Sequence, residues 1–115
     1  MRIKVSTGKH VFTATLYDNE TASAFLKLLP LTTAMKELNG NEKYIDLPNS
    51  LPADAAHPGM IHTGDLMLYG SNTLVLFYKS FFTSYAYTKL GLIIDPSGLE
   101  AALGNHHVVV TFDLK

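Results

Sequence analysis

The chain has 115 residues, enough for one domain with a single core, and its 47% hydrophobic content excludes a disordered segment. Its 9 Lys and Arg against 10 Asp and Glu leave a net charge of −1, and its only arginine is Arg2, so no basic footprint for nucleic acid or an anionic membrane exists. There is no cysteine, which excludes disulfides and thiolate chemistry, and no apolar run approaches bilayer-spanning length, the longest lying near Leu74–Tyr78.

Ile3–Ser6 and Val11–Tyr17 read as strands around the turn Thr7-Gly8-Lys9. Val11, Thr13, Thr15 and Tyr17 alternate with Phe12, Ala14 and Leu16, the period of a half-buried strand. Asp18 or Asn19 suits a helix N-cap, because a short side-chain oxygen accepts from the first free backbone N–H groups. Ala22, Phe25, Leu26 and Leu29 follow at helical spacing, and Pro30 stops the helix. Leu31–Leu38 contains both helix formers and Thr32-Thr33 directly after a proline; a strand is the favoured reading. Asn39-Gly40-Asn41 is a hairpin turn signal, and Tyr44–Leu47 a short strand. Pro48, Pro52 and Pro58 punctuate an irregular loop, 48–61, expected to be mobile.

Gly64–Tyr69 and Thr73–Lys79 read as strands joined by Gly70-Ser71-Asn72, the second rich in β-branched and aromatic residues. Ser80–Lys89 has four aromatics without a clean period and reads as an extended loop. Leu90–Ile94 is a strand. Asp95-Pro96 fits a helix cap with proline in the first turn, and Ser97–Leu103 a short helix ended by Gly104. Val108–Leu114 is a final strand. Eight strands at short spacing with only two helices, in one domain over residues 1–115, predict a mainly β fold: a small closed or nearly closed barrel with a helix at each end. The lack of cysteine and of an apolar leader-like stretch is compatible with a cytoplasmic address.

The segment Thr15-Leu16-Tyr17-Asp18-Asn19-Glu20-Thr21-Ala22-Ser23-Ala24-Phe25 resembles the cyclophilin opening, where a strand, an acidic turn and the first helix bring an alanine and a phenylalanine onto the barrel. Gly64-Asp65-Leu66-Met67 followed by Leu76-Phe77-Tyr78-Lys79-Ser80 looks like a cyclophilin hairpin, and Leu90-Gly91-Leu92-Ile93 with Leu99 looks like the hydrophobic-glycine strand and second helix. The succession is similar to the short bacterial cyclophilin-like proteins. True cyclophilins are peptidyl-prolyl isomerases that use a strand arginine to polarise the prolyl amide, a glutamine and aromatics to hold the peptide, and a histidine and a tryptophan at the rim. The resemblance places Phe77 at the cleft phenylalanine, Val75 at the glutamine and Tyr87 at the rim histidine. Leu31–Leu38 holds no arginine, only Lys36, and there is no tryptophan. Efficient isomerisation is therefore not expected; weak isomerase activity is an alternative.

The densest chemical feature is the aromatic set Phe77, Tyr78, Phe81, Phe82, Tyr85 and Tyr87, which suits a peptide or a small molecule. Leu74, Leu76 and Tyr78 share one strand face and are read as barrel filling. Val75 and Phe77 then look outward, and with Phe82, Tyr85 and Tyr87 they form the expected ligand site, with loop 48–61 as its candidate cover. The competing reading is that this face packs on that loop or on a second subunit. His57 and His62 in the loop and the neighbouring pair His106-His107 lack metal-ligand spacing, and no phosphate loop is present, so neither metal nor cofactor is expected. Asp65 suits a strand-entry turn; Asp65 or a loop histidine as acid–base on a small metabolite is the third functional reading.

Overall fold

The computed structural model describes the whole chain, Met1–Lys115. Ten strands and two helices run in the order β1 (Arg2–Thr7), β2 (His10–Leu16), α1 (Glu20–Leu26), β3 (Leu31–Leu38), β4 (Glu42–Asp46), β5 (Met60–Ile61), β6 (Asp65–Tyr69), β7 (Thr73–Phe77), β8 (Phe81–Phe82), β9 (Thr88–Ile93), α2 (Leu99–Leu103) and β10 (Val108–Leu114). The eight longer strands close into an antiparallel barrel, in the order β1-β10-β3-β4-β7-β6-β9-β2, and β5 pairs with β8 outside it. The chain is thus the mainly β barrel with two short helices that its patterning predicts.

Alternation fills the barrel. Ile3 and Val5 of β1, Ala14 and Leu16 of β2, Met35 of β3, Leu66 and Leu68 of β6, Leu74 and Leu76 of β7, and Val110 and Phe112 of β10 form one buried cluster. Leu74, Leu76 and Tyr78 are all in it, as their shared face requires. Helix α1 closes one end by burying Ala22 and Phe25, whose ring meets Phe112 edge-on at 5.6 Å. Asn19 caps it, its side chain accepting from Ala22 N at 2.7 Å. Helix α2 closes the other end through Leu99 and Leu103.

A buried polar cluster completes that second end. Lys43 is fully buried and points inward, where its Nζ donates to Glu37 Oε1 at 2.9 Å and to the carbonyls of Gly104 and His106. Tyr78 Oη donates to the same carboxylate oxygen at 2.7 Å, and Gly40 N to the other at 2.7 Å. Burial pushes the Glu37 carboxyl up, but these hydrogen bonds and the Lys43 charge outweigh it and hold the group below its ordinary value.

Several boundaries differ from the expectations. Helix α1 stops at Leu26 rather than Leu29, because Leu29 precedes Pro30 and cannot stay helical cheaply. Strand β4 starts at Glu42, not Tyr44, drawn in by the Lys43 cluster. Helix α2 starts at Leu99 behind an N-cap Gly98; Asp95 instead closes a local turn by accepting from Ser97 N at 3.1 Å. Loop 48–61, expected to be mobile, is tied along its length. Leu51 N donates to Ser71 O, Pro52 O accepts from Thr21 Oγ1, Asp54 N donates to Thr88 Oγ1, Ala56 exchanges two backbone bonds with Tyr87, and Met60–Ile61 pairs with Phe81–Phe82.

Gly91 marks the tightest crossing of the barrel wall. It pairs with Leu16 on one side and Leu66 on the other, and a Cβ there would lie 2.3 Å from Thr15 O. Gly91→Ala is therefore expected to cost about 1–3 kcal/mol through forced separation of β2 and β9. Urea denaturation checks this, and an unchanged midpoint would contradict the close approach.

Candidate functional site

The outer faces of β4 and β7 build the site. With Lys43 and Ile45 turned inward, alternation turns Glu42, Tyr44 and Asp46 out; they stand opposite Phe77, Val75 and Thr73 of β7. The outer face of β6 and β7 is apolar, and a second, smaller core covers it: Ile61, Met67, Val75, Phe77 and Tyr87, with Tyr44 and Phe81 against it. The Phe77 ring meets Tyr87 at 5.5 Å and Phe81 at 5.7 Å. Residues 81–87 thus lie over the barrel wall, and beside them a groove of about 560 Å³ stays open. Val75, Tyr44 and Tyr87 form its apolar floor, and Phe82, Tyr85 and Tyr69 its rim. The volume falls within the range of small-molecule sites. A second groove of about 570 Å³ lies on the far side of Tyr87, between α1 and loop residues 52–58.

The electrostatics are one-sided. Glu42 lies in the groove, only 7% exposed, and its carboxyl makes no hydrogen bond within the protein. Burial, reinforced by the negative charge of Glu37, pushes its pKa up to about 7. Beside it Asn41 Oδ1 is buried and accepts from nothing. Burial, with the Glu42 charge adding to it, pushes the Tyr87 hydroxyl up to about 12. Asp46 at the rim accepts from Thr73 Oγ1 at 2.7 Å. No lysine, arginine or histidine lines the groove.

The model of the Cyclophilin-like family matches residues 5–113. The chain belongs to that family. Its fold is similar to the solution structure of the hypothetical protein AF2241 from Archaeoglobus fulgidus, with 17% identity, coverage of 100% of this chain and 95% of that one, and a TM-score of 0.65. No curated protein matches the chain.

Within this cyclophilin-like domain, Val75, Phe82, Tyr85 and Tyr87 do meet around one groove. Phe77 does not. It looks outward from the barrel as the strand period requires, but β5, β8 and Tyr87 bury it completely, so it supports the groove from behind. Loop 48–61 packs against residues 81–88 rather than over the groove, and so is not its cover. Lys36 is exposed on the outer face of β3 but does not line the groove, and Arg2 lies on β1, separated from β3 by β10. Asp65 Oδ2 accepts from His62 N at 2.8 Å, the strand-entry turn its position suggests. His57 Nδ1 lies 3.0 Å from Ser84 O, and no three His, Asp or Glu side chains converge.

Sequence reasoning missed Glu42, Asn41, Tyr44 and Tyr69. The alternation Glu42-Tyr44-Asp46 carried a signal, but it becomes readable only once β4 is started at Glu42.

Phe77→Ala is expected to cost about 3–5 kcal/mol, the range for emptying a buried phenylalanine site. Thermal or urea melts check it; a loss below about 1 kcal/mol would mean the second core does not close over Phe77.

Proposed function

We propose that this cyclophilin-like domain is a binding module that takes an apolar or aromatic small molecule, or a peptide side chain of that character, in the groove over Val75 and Tyr87. The observation that carries the reading is the exposure of Phe82 (83%) and Tyr85 (62%) at the rim of a groove whose floor is already packed. Aromatic rings held over open space lose water-exposed apolar area only when something occupies that space, and soluble proteins seldom keep such patches idle. Neither ring is needed for the core, since neither belongs to a buried cluster.

The charge around the groove argues against efficient prolyl isomerisation. True cyclophilins place an arginine donor at the prolyl nitrogen, and electrostatic stabilisation of that kind is usually the largest catalytic contribution. Here the charged side chains lining the groove are Glu42 and Asp46, with no cation among them. Lysine on β3 is no substitute for arginine even where it is close, because it lacks the planar fork.

Saturable binding of the neutral dye Nile red, read by fluorescence, tests the module. Phe82→Ala and Tyr85→Ala are expected to weaken it while changing the unfolding free energy by no more than a surface substitution does, about ±0.5 kcal/mol. Dye binding that is absent, or indifferent to both substitutions, would overturn the reading. So would prolyl-peptide turnover comparable with a true cyclophilin in a protease-coupled assay.

A further inference from the structure

The groove holds more acceptors than its apolar walls account for. Glu42 is more than nine-tenths buried, sits in the groove and has no hydrogen-bond partner. Asn41 Oδ1, on the preceding residue, is fully buried and accepts from nothing. Buried polar atoms are paired in the great majority of native structures, so the Asn41 orphan, with an unpaired carboxyl facing the groove on the next residue, calls for a partner that is not part of the chain. Both groups are acceptors, so the partner must bring N–H or O–H donors. The charge around them narrows it further. Glu42 acts electrostatically on Tyr87 in the groove and on Tyr78 behind β4, and Glu37 acts on Glu42 from the same side. Tyr44 lines the groove and is neutral. Lys43 faces the barrel interior and is held by Glu37 and two carbonyls, and Lys36, on the outer face of β3 opposite Tyr44, makes no ion pair with Glu42. No cation lies within ion-pair distance of Glu42.

Five further aromatic rings join Tyr87 around the groove: Tyr44, Tyr69, Phe81, Phe82 and Tyr85. Aromatic faces carry negative potential and attract organic cations. Resting on the binding reading above, we propose that the groove recognises a small organic amine: a primary or secondary ammonium on an apolar body, its N–H groups donating to Glu42 and Asn41 Oδ1 and its body lying on the tyrosine and phenylalanine rings. A quaternary ammonium would satisfy the rings but leave both acceptors unpaired. The groove's volume of about 560 Å³ suits a small molecule.

The ionised carboxylate is the binding form. Glu42 titrates near 7, and a bound ammonium pulls that value down, so binding releases a proton in the acid range. Affinity for an amine that stays protonated throughout is expected to fall as the pH drops below 7, approaching about tenfold per pH unit.

Amide-resolved NMR titration with three probes of one shape tests this: 2-phenylethylammonium, neutral 2-phenylethanol and anionic 3-phenylpropionate. The ammonium is expected to bind tightest, with shifts centred on Asn41, Glu42, Val75 and Tyr87. Glu42→Gln should weaken it by about tenfold to a hundredfold and abolish the pH dependence, leaving the alcohol unaffected. Gln keeps the shape of the protonated acid, and the unaffected alcohol reports an intact groove. Tighter binding of the alcohol or the carboxylate would overturn the amine assignment while leaving the binding module standing. A capped lysyl tripeptide binding more tightly than 2-phenylethylammonium would overturn the small-molecule assignment. No shift at the groove from any millimolar probe would overturn both.

Discussion

The inward turn of Lys43 fixes what this domain can present to solvent. Strand side chains alternate, so the residue that enters the barrel decides which neighbours leave it, and a slip of one residue would exchange the two sets. A buried ammonium is tolerated only with full pairing. Glu37, from the neighbouring strand β3, supplies the countercharge, and the carbonyls of Gly104 and His106 supply the remaining acceptors. With Lys43 held there, Glu42, Tyr44 and Asp46 have no choice but the outer face. The register that closes the barrel therefore also carries an uncompensated carboxyl into the groove.

The wall of the barrel is correspondingly two-sided. Leu74 and Leu76 pack inward while Val75 and Phe77 pack outward, so β7 is apolar on both faces, as a strand between two cores must be. The outer core is small and depends on two-residue strands, whose pairing is steadied by the double backbone exchange between Ala56 and Tyr87. Tyr87 joins the layers: it belongs to the outer core, pairs with the loop and lines the groove. Glu42 beside it is where the fold accepts a cost. Its folded pKa lies above the ordinary glutamate value, so between about 4.5 and 7 the folded chain retains a proton that the unfolded chain has lost. Stability from this group is complete at lower pH and diminishes as the pH rises through that window. A bound cation would reverse that penalty.

Much of the barrel was legible in the sequence because it rests on local signals. The alternation in β2 and β7, the turn at Asn39-Gly40, and the Asn19 cap each need only a few adjacent residues, and the cyclophilin resemblance agreed with their order. What escaped depends on contacts distant in sequence. A lysine reads as a surface residue, so β4 seemed to start after Lys43, and its partners Gly104 and His106 lie more than sixty residues away. Two-residue strands have no period to detect, so β5 and β8 were read as loop. The outward direction of Phe77 was correct, yet its burial was not readable, because the cover comes from Ile61, Phe81 and Tyr87. Val75, Phe82, Tyr85 and Tyr87 still line one groove, since exposed aromatics on a loop beside an apolar strand face can hardly avoid one another. The outward position of Glu42 was hidden by the same misplacement of β4.

Glu42 sits largely buried and without a protein partner in the open groove. Its side-chain carboxyl carbon, followed by NMR from acid to alkaline pH in the ligand-free protein, reports this directly. A midpoint near 7 is the expected result. A midpoint at the ordinary glutamate value, about 4.3, would mean that water or a hidden partner already satisfies the group, and would contradict the account.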